Sequence, residues 1–188
     1  MKFKEIELKY WAEISKGDFH RRINKACGEF IQPEYVVSCD DYYILSNASL
    51  KGNSHFVRFR KGGQMQELTL KVKEQENVVR AEINLNVSNN DDASVVEFLT
   101  LSGYRKSFQV YKEAWIWRPD DECVISYYTL SDGRNVIEIE AEDYMTIEDG
   151  LDIVNSWEEK LGLVGAKRES RSLYEIFTEE NLEKEKKA

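Results

Sequence analysis

The chain has 188 residues, 41% hydrophobic and 12% aromatic, which suits one folded domain with a real core and excludes a disordered chain. Its 35 acidic and 26 basic residues give a net charge of -9, which argues against non-specific binding to nucleic acid or an acidic membrane, since both need a basic face. Cys27, Cys39 and Cys123 are scattered with no CxxC pair, and read as reduced thiols rather than a disulfide frame or zinc site.

At the start of the chain, 4–10 alternates strictly, with Glu5, Glu7 and Lys9 on one strand face and Ile6, Leu8 and Tyr10 on the other. Phe19, Ile23, Ala26, Cys27 and Phe30 then recur at helical spacing, predicting a helix over about 15–28 that ends before Gln32-Pro33. Residues 35–45 are β-branched and aromatic, hence a strand, and contain Asp40 and Tyr42. A polar loop, 46–54, follows.

The strand 56–60 sets Arg58 and Arg60 opposite Val57 and Phe59, and Gly62-Gly63 turns it into 67–73, where Thr69, Lys71 and Lys73 share a face. A further strand runs to Val87, with Arg80 and Glu82 opposite Ala81 and Ile83. Asp91 or Asp92 caps a short helix closed at Gly103. Two strand regions, 104–111 and 112–118, lead to the Pro119 turn. The hairpin 122–130 and 135–142 places Glu138, Glu140 and Glu142 opposite Ile137 and Ile139. Thr146 caps a helix ending near Gly162, and a last helix covers about 170–182.

The sum is an α+β chain of about eight antiparallel strands with flanking helices. Charge signs segregate by strand: acids at 5, 7, 138 and 140, bases at 58, 60, 71 and 73. A plain sandwich with solvated faces fits this pattern. So does a closed barrel that turns its apolar faces outward under helices and its charged faces into a polar lumen. In the barrel, converging bases suit a polyphosphate, and clustered carboxylates suit a hard divalent cation such as Mg²⁺ or Mn²⁺.

The Glu5-x-Glu7-x-Lys9 stretch resembles the signature of the CYTH superfamily, the triphosphate tunnel metalloenzymes. Asp40-x-Tyr42-Tyr43, Arg58-x-Arg60, Lys71-x-Lys73, Arg80-x-Glu82, Lys112, Glu138-x-Glu140 and the 171–174 segment follow in family order. The resemblance implies an eight-stranded antiparallel β-barrel tunnel over 1–178, followed by a charged, fraying tail, 179–188. It implies that Glu5, Glu7, Glu138 and Glu140 hold Mg²⁺ or Mn²⁺. Lys9, Arg58, Arg60, Lys71, Lys73, Arg80, Lys112, Arg118 and Arg171 would bind the triphosphate, with Glu5, Glu7 and Lys9 at the chemistry and Glu82, Asp40 and Tyr42 in support.

The implied activity is metal-dependent hydrolysis of the terminal phosphate of tripolyphosphate, thiamine triphosphate or a nucleoside triphosphate. The alternatives are a class IV adenylyl cyclase and a non-catalytic member that binds a phosphorylated ligand. Two positions depart from the family pattern. Ala114 stands where an arginine is usual, with Arg118 as a candidate substitute, and Ser126 and Tyr128 stand where an aspartate is usual.

His20 and His55 read as ordinary surface residues, and Trp115 and Trp117 as packing beneath a helix. No apolar run approaches the roughly eighteen residues of a membrane span, and the charged start reads as having no signal peptide. The expected setting is cytoplasmic, without nucleic acid or membrane partners, as a monomer or homodimer.

Overall fold

The computed structural model describes residues 4–49, 55–63, 66–72 and 79–187. Eight strands form: β1 (Lys4–Trp11), β2 (Glu34–Leu45), β3 (His55–Gly62), β4 (Glu67–Val72), β5 (Val79–Asn86), β6 (Tyr104–Trp117), β7 (Cys123–Leu130) and β8 (Asn135–Ala141). They close into an antiparallel barrel in the order β1-β5-β4-β3-β2-β6-β7-β8, so no strand edge is left open to pair with another chain. The helices are α1 (Lys16–Cys27), α2 (Asp92–Leu101), α3 (Ile147–Lys160) and α4 (Leu173–Lys187).

Local chemistry sets the helix ends. Ser15 caps α1, with Gly28 left-handed at its other end. Of the two candidate caps for α2 it is Asp91, whose carboxylate accepts from the Ser94 amide at 2.8 Å. Thr146 and Asp149 make a reciprocal capping box on α3, and Ser172 and Glu175 do the same for α4. The segment expected to fray is helical as far as Lys187. The two strand regions expected over 104–118 are one strand. β6 pairs with β2 from Tyr104 to Ile116, and an irregularity at Tyr42/Tyr43 absorbs the break in pattern.

The outward faces are apolar, as the alternation predicts, and the helices cover them over β1, β7, β8 and part of β3 and β4, while Ile83 and Leu85 of β5 and Tyr35 and Val37 of β2 stay exposed. Ile6, Leu8, Ile125, Ile137 and Ile139 pack beneath Phe19 and Ile23 of α1, Val154 and Trp157 of α3, and Leu161 at its C-terminal cap. Trp117 is fully buried there, edge-on to Phe19 at 5.8 Å. Helix α3 lies so close to β1 that a Cβ on Gly150 would fall 2.5 Å from Ile6 Cδ1. On the far side α2 covers Val57, Phe59 and Leu68 with Val95 and Leu99. Among the described residues no helix is long and apolar enough to cross a membrane.

The inward faces form the polar, charged lumen that the alternation led us to expect, with an apolar stretch added at one end. A third cluster joins Tyr42, Ile44, Phe56, Val110, Tyr128, Leu130 and Val136 to Leu173, Tyr174 and Ile176 of α4. Phe56 shares its strand face with Arg58 and Arg60, and Val136 shares its face with Glu138, by the two-residue repeat. The lumen is therefore charged along part of its length and apolar along the rest, where α4 closes it.

Ion pairs and a backbone hydrogen bond tie the segment leading into α4, and α4 itself, to α3 and the barrel. Arg168 holds Glu158 at 2.6 Å, the Glu169 amide donates to the Lys9 carbonyl at 2.8 Å, and Arg134 bridges to Glu180 at 2.6 Å.

Candidate functional site

The inward side chains of β1 and its neighbours surround a cavity of about 340 Å³. On one wall, β1 and β8 run antiparallel with Glu7 opposite Glu140 and Lys9 opposite Glu138. Directly opposed residues stand within about 5.5 Å at Cβ, so this register gathers Glu5, Glu7, Glu138 and Glu140 on one patch. The remaining wall carries the bases, Arg58 and Arg60 on β3, Lys71 on β4 and Lys112 on β6, with Glu67 on β4 and Glu82 on β5 set among them.

Each base is held by a carboxylate. Lys71 reaches Glu5 and Glu82, both at 2.7 Å. Lys9 lies 2.8 Å from Glu7 and 3.2 Å from Glu138. Arg58 donates to Glu67 at 3.0 Å and Thr69 at 2.8 Å. Asp40 is completely buried behind the wall, where it takes both Nε and Nη2 of Arg60, at 2.8 and 3.0 Å, and Lys112 at 2.8 Å.

The two walls differ in how well their charge is compensated. Burial works against Asp40 ionising, yet Arg60 and Lys112 hold its carboxyl well below the usual range. Lys112, enclosed with Asp40 on one side and Arg60 on the other, is pushed down by burial to about 8. Despite its burial, Glu82 is held at about 2 by Lys71 and Arg58. On the acidic wall, burial, opposed by Lys71 but reinforced by Glu7 and Glu82, pushes Glu5 up to about 7. Burial followed by Glu5 and Glu7 pushes Glu140 well above the carboxylate range. Negative charge is crowded on β1 and β8 in a way that a bound cation relieves.

The donors on that wall are all carboxylate oxygens, which fits a hard divalent cation. Among the described residues no three acidic, histidine or cysteine side chains converge closely enough to hold one. Glu5 and Glu7 are turned to Lys71 and Lys9, and Glu138 accepts the Tyr128 hydroxyl at 2.7 Å. The residues thus fit a cation in chemistry, while in this arrangement their carboxylates are engaged by lysines and a tyrosine instead of converging on one point.

Of the residues singled out in the sequence, Glu5, Glu7, Lys9, Tyr42, Arg58, Arg60, Lys71, Glu82, Lys112, Arg118, Glu138 and Glu140 line this one cavity. Arg118 is 57% exposed and paired with Glu142 at 2.7 Å, so it sits at a solvent-facing end rather than beside Ala114. Arg171 does not line the cavity. It is 44% exposed and tied to Glu169 and Glu179 at 2.6 and 2.8 Å. Lys73 and the side chain of Arg80 lie outside the described residues, although Arg80 pairs with Glu5 in the β1–β5 ladder. Sequence reasoning missed Glu67, whose parity with Thr69 and Lys71 put it on the inward face, and left Tyr174 unassigned although the 171–174 segment belongs to the family-order set.

A family model described as the CYTH domain matches residues 4–173, and no curated protein matches the sequence. Solved structures share the fold. One, from Pyrococcus horikoshii OT3, superimposes with a TM-score of 0.75 at 20% identity, over 94% of this chain and 99% of that one. A candidate adenylate cyclase from Vibrio parahaemolyticus has a TM-score of 0.70 at 19% identity, over 94% and 98%. A candidate adenylyl cyclase from Hippeastrum, described as having a dominant triphosphatase activity, has a TM-score of 0.60 at 11% identity, over 93% and 94%.

Proposed function

The chain belongs to the CYTH family, whose members bind triphosphates, are typically triphosphatases or cyclases and generally depend on a divalent metal; from that membership we propose that it hydrolyses the terminal phosphate of a triphosphate held in the lumen. The observation that carries this reading is the division of one cavity into a carboxylate wall on β1 and β8 and a basic wall on β3, β4 and β6.

Phosphoryl transfer needs alignment and charge neutralisation more than a protein nucleophile. Arg58 and Arg60 present planar forks that can take two phosphate oxygens each, while Lys9, Lys71 and Lys112 supply point charges. Asp40 keeps Arg60 and Lys112 in place before substrate arrives, so little reorganisation is needed during the reaction. Lys71 and Lys9 exchange their carboxylate partners for phosphate oxygens, which frees Glu5 and Glu7. These two, with Glu138 and Glu140, would hold Mg²⁺ or Mn²⁺. That cation supplies charge neutralisation and an activated water when bound. Burial and the closed end at α4 limit competing solvent.

One observation favours a second reading, ligand binding without turnover. Ser126 and Tyr128 stand where the family usually has an aspartate; Ser126 faces Glu138 across the β7–β8 ladder and the Tyr128 hydroxyl donates to Glu138, so neither adds a carboxylate to the acidic wall.

Products separate the readings. With ATP and Mg²⁺ or Mn²⁺, the hydrolase reading expects ADP and orthophosphate. Cyclic AMP with pyrophosphate would make the protein a cyclase. Calorimetric binding of ATP without any product would make it a binding protein.

A further inference from the structure

Two buried donors of the lumen have no hydrogen-bond partner among the described residues, the hydroxyl of Tyr174 and the Nε of Arg58. Both residues line the cavity, and they are 5% and 8% exposed. They are also neighbours. Phe56 and Arg58 share the inward face of β3, and the Tyr174 ring stacks on Phe56 with centroids 4.3 Å apart and planes at 15°. Phe108, at 5.6 Å, completes the stack, so the ring has little freedom to turn its hydroxyl elsewhere.

A buried hydroxyl left unpaired carries its full desolvation cost. Such orphans in native proteins mark the place of a water or ligand. Here there are two, both donors, at the junction of the basic wall and the end closed by α4. A pair of donors calls for an acceptor-rich, anionic group.

We propose that Tyr174, delivered by the C-terminal helix, is a ligand-binding residue of the lumen, its hydroxyl and the Arg58 Nε–H together donating to the innermost phosphate of the bound chain. The inference rests on the triphosphate reading and adds direction to it. The free end of the phosphate chain enters first and meets Tyr174, and any organic group stays at the opposite, solvent-facing end near Arg118.

The test compares thermal melting of the full-length protein and of Tyr174→Phe, with and without tripolyphosphate, in EDTA so that turnover does not intervene, and again in Mg²⁺. The variant keeps the ring stack and removes only the oxygen. Without ligand it is expected to melt at or above the wild type, because an unpaired buried group is gone. Its apparent affinity for tripolyphosphate is expected to fall about tenfold, the loss of one hydrogen bond to a charged group. A purely structural hydroxyl gives the opposite pattern, a lower melting point without ligand and unchanged affinity, and that result overturns the proposal. Equal ligand-induced shifts in both proteins also overturn it and leave the triphosphate reading standing. If the wild type is not shifted by tripolyphosphate in either condition, the triphosphate reading falls and this inference with it.

Discussion

Replacing Asp40 by Asn is expected to destabilise the protein by about 3 kcal/mol, measured by urea unfolding at neutral pH. The side chain keeps its shape and loses only its charge. What remains is Lys112, 8% exposed, and Arg60, 33% exposed, with no carboxylate between them. Removing one partner of a buried ionic cluster leaves the others uncompensated, which costs more than the intact cluster contributes. Arg60 can turn partly to solvent, which sets the expectation at the low end of the usual range.

Adding Lys112→Met to Asp40→Asn should recover part of the loss, so the two changes are not additive. The pH dependence has a definite sign. The folded carboxyl of Asp40 is held below its unfolded value, so its contribution is present above the ordinary carboxylate range and is lost as pH falls through the folded value. The gap between wild type and Asp40→Asn should therefore close in strong acid. A gap of less than 1 kcal/mol at neutral pH would mean that Asp40 does not organise the basic wall.

The second large effect concerns the acidic wall. Glu140→Gln is expected to lower metal-dependent turnover about 10²-fold, because loss of a ligand weakens a Lewis-acid contribution worth several kcal/mol. The same change should not lower the melting point of the metal-free protein, since burial, reinforced by Glu5 and Glu7, already disfavours charge at Glu140. Initial rates over a Mg²⁺ series, paired with melting curves, read both. Unchanged activity at all metal concentrations would remove Glu140 from the site.

The barrel wall was legible in the sequence because a strand's two-residue repeat is a local property. Glu5, Glu7 and Lys9 declare their face within five residues, and the signs of Arg58-x-Arg60 and Glu138-x-Glu140 mark opposite walls. Closure of the sheet, and Lys112 as a member of the site, came through the family resemblance, since periodicity alone left a sandwich open. Asp40 was placed only in support, because its weight depends on Arg60 and Lys112, which meet it through β2–β3 and β2–β6 pairing.

What was not legible has the same physical root. Arg171 came in through the family resemblance of the 171–174 segment, and its pairing with Glu169 and Glu179 depends on contacts that no local pattern gives. The apolar end of the lumen was invisible because Tyr42, Phe56 and Val136 share strand faces with charged residues. Only the docking of α4, over a hundred positions away from Tyr42 in the chain, shows where the polar stretch stops. Tyr174 belongs to the cavity through that docking alone.

The central claim is that a free triphosphate chain is bound in the lumen and loses its terminal phosphate. Phosphorus NMR of tripolyphosphate incubated with the wild-type protein and Mg²⁺ or Mn²⁺ tests it most directly. The account predicts that the tripolyphosphate signals decay into equal amounts of pyrophosphate and orthophosphate, and that EDTA stops the decay. Persistence of intact tripolyphosphate with either metal, in a protein that is folded by its melting curve, would contradict it.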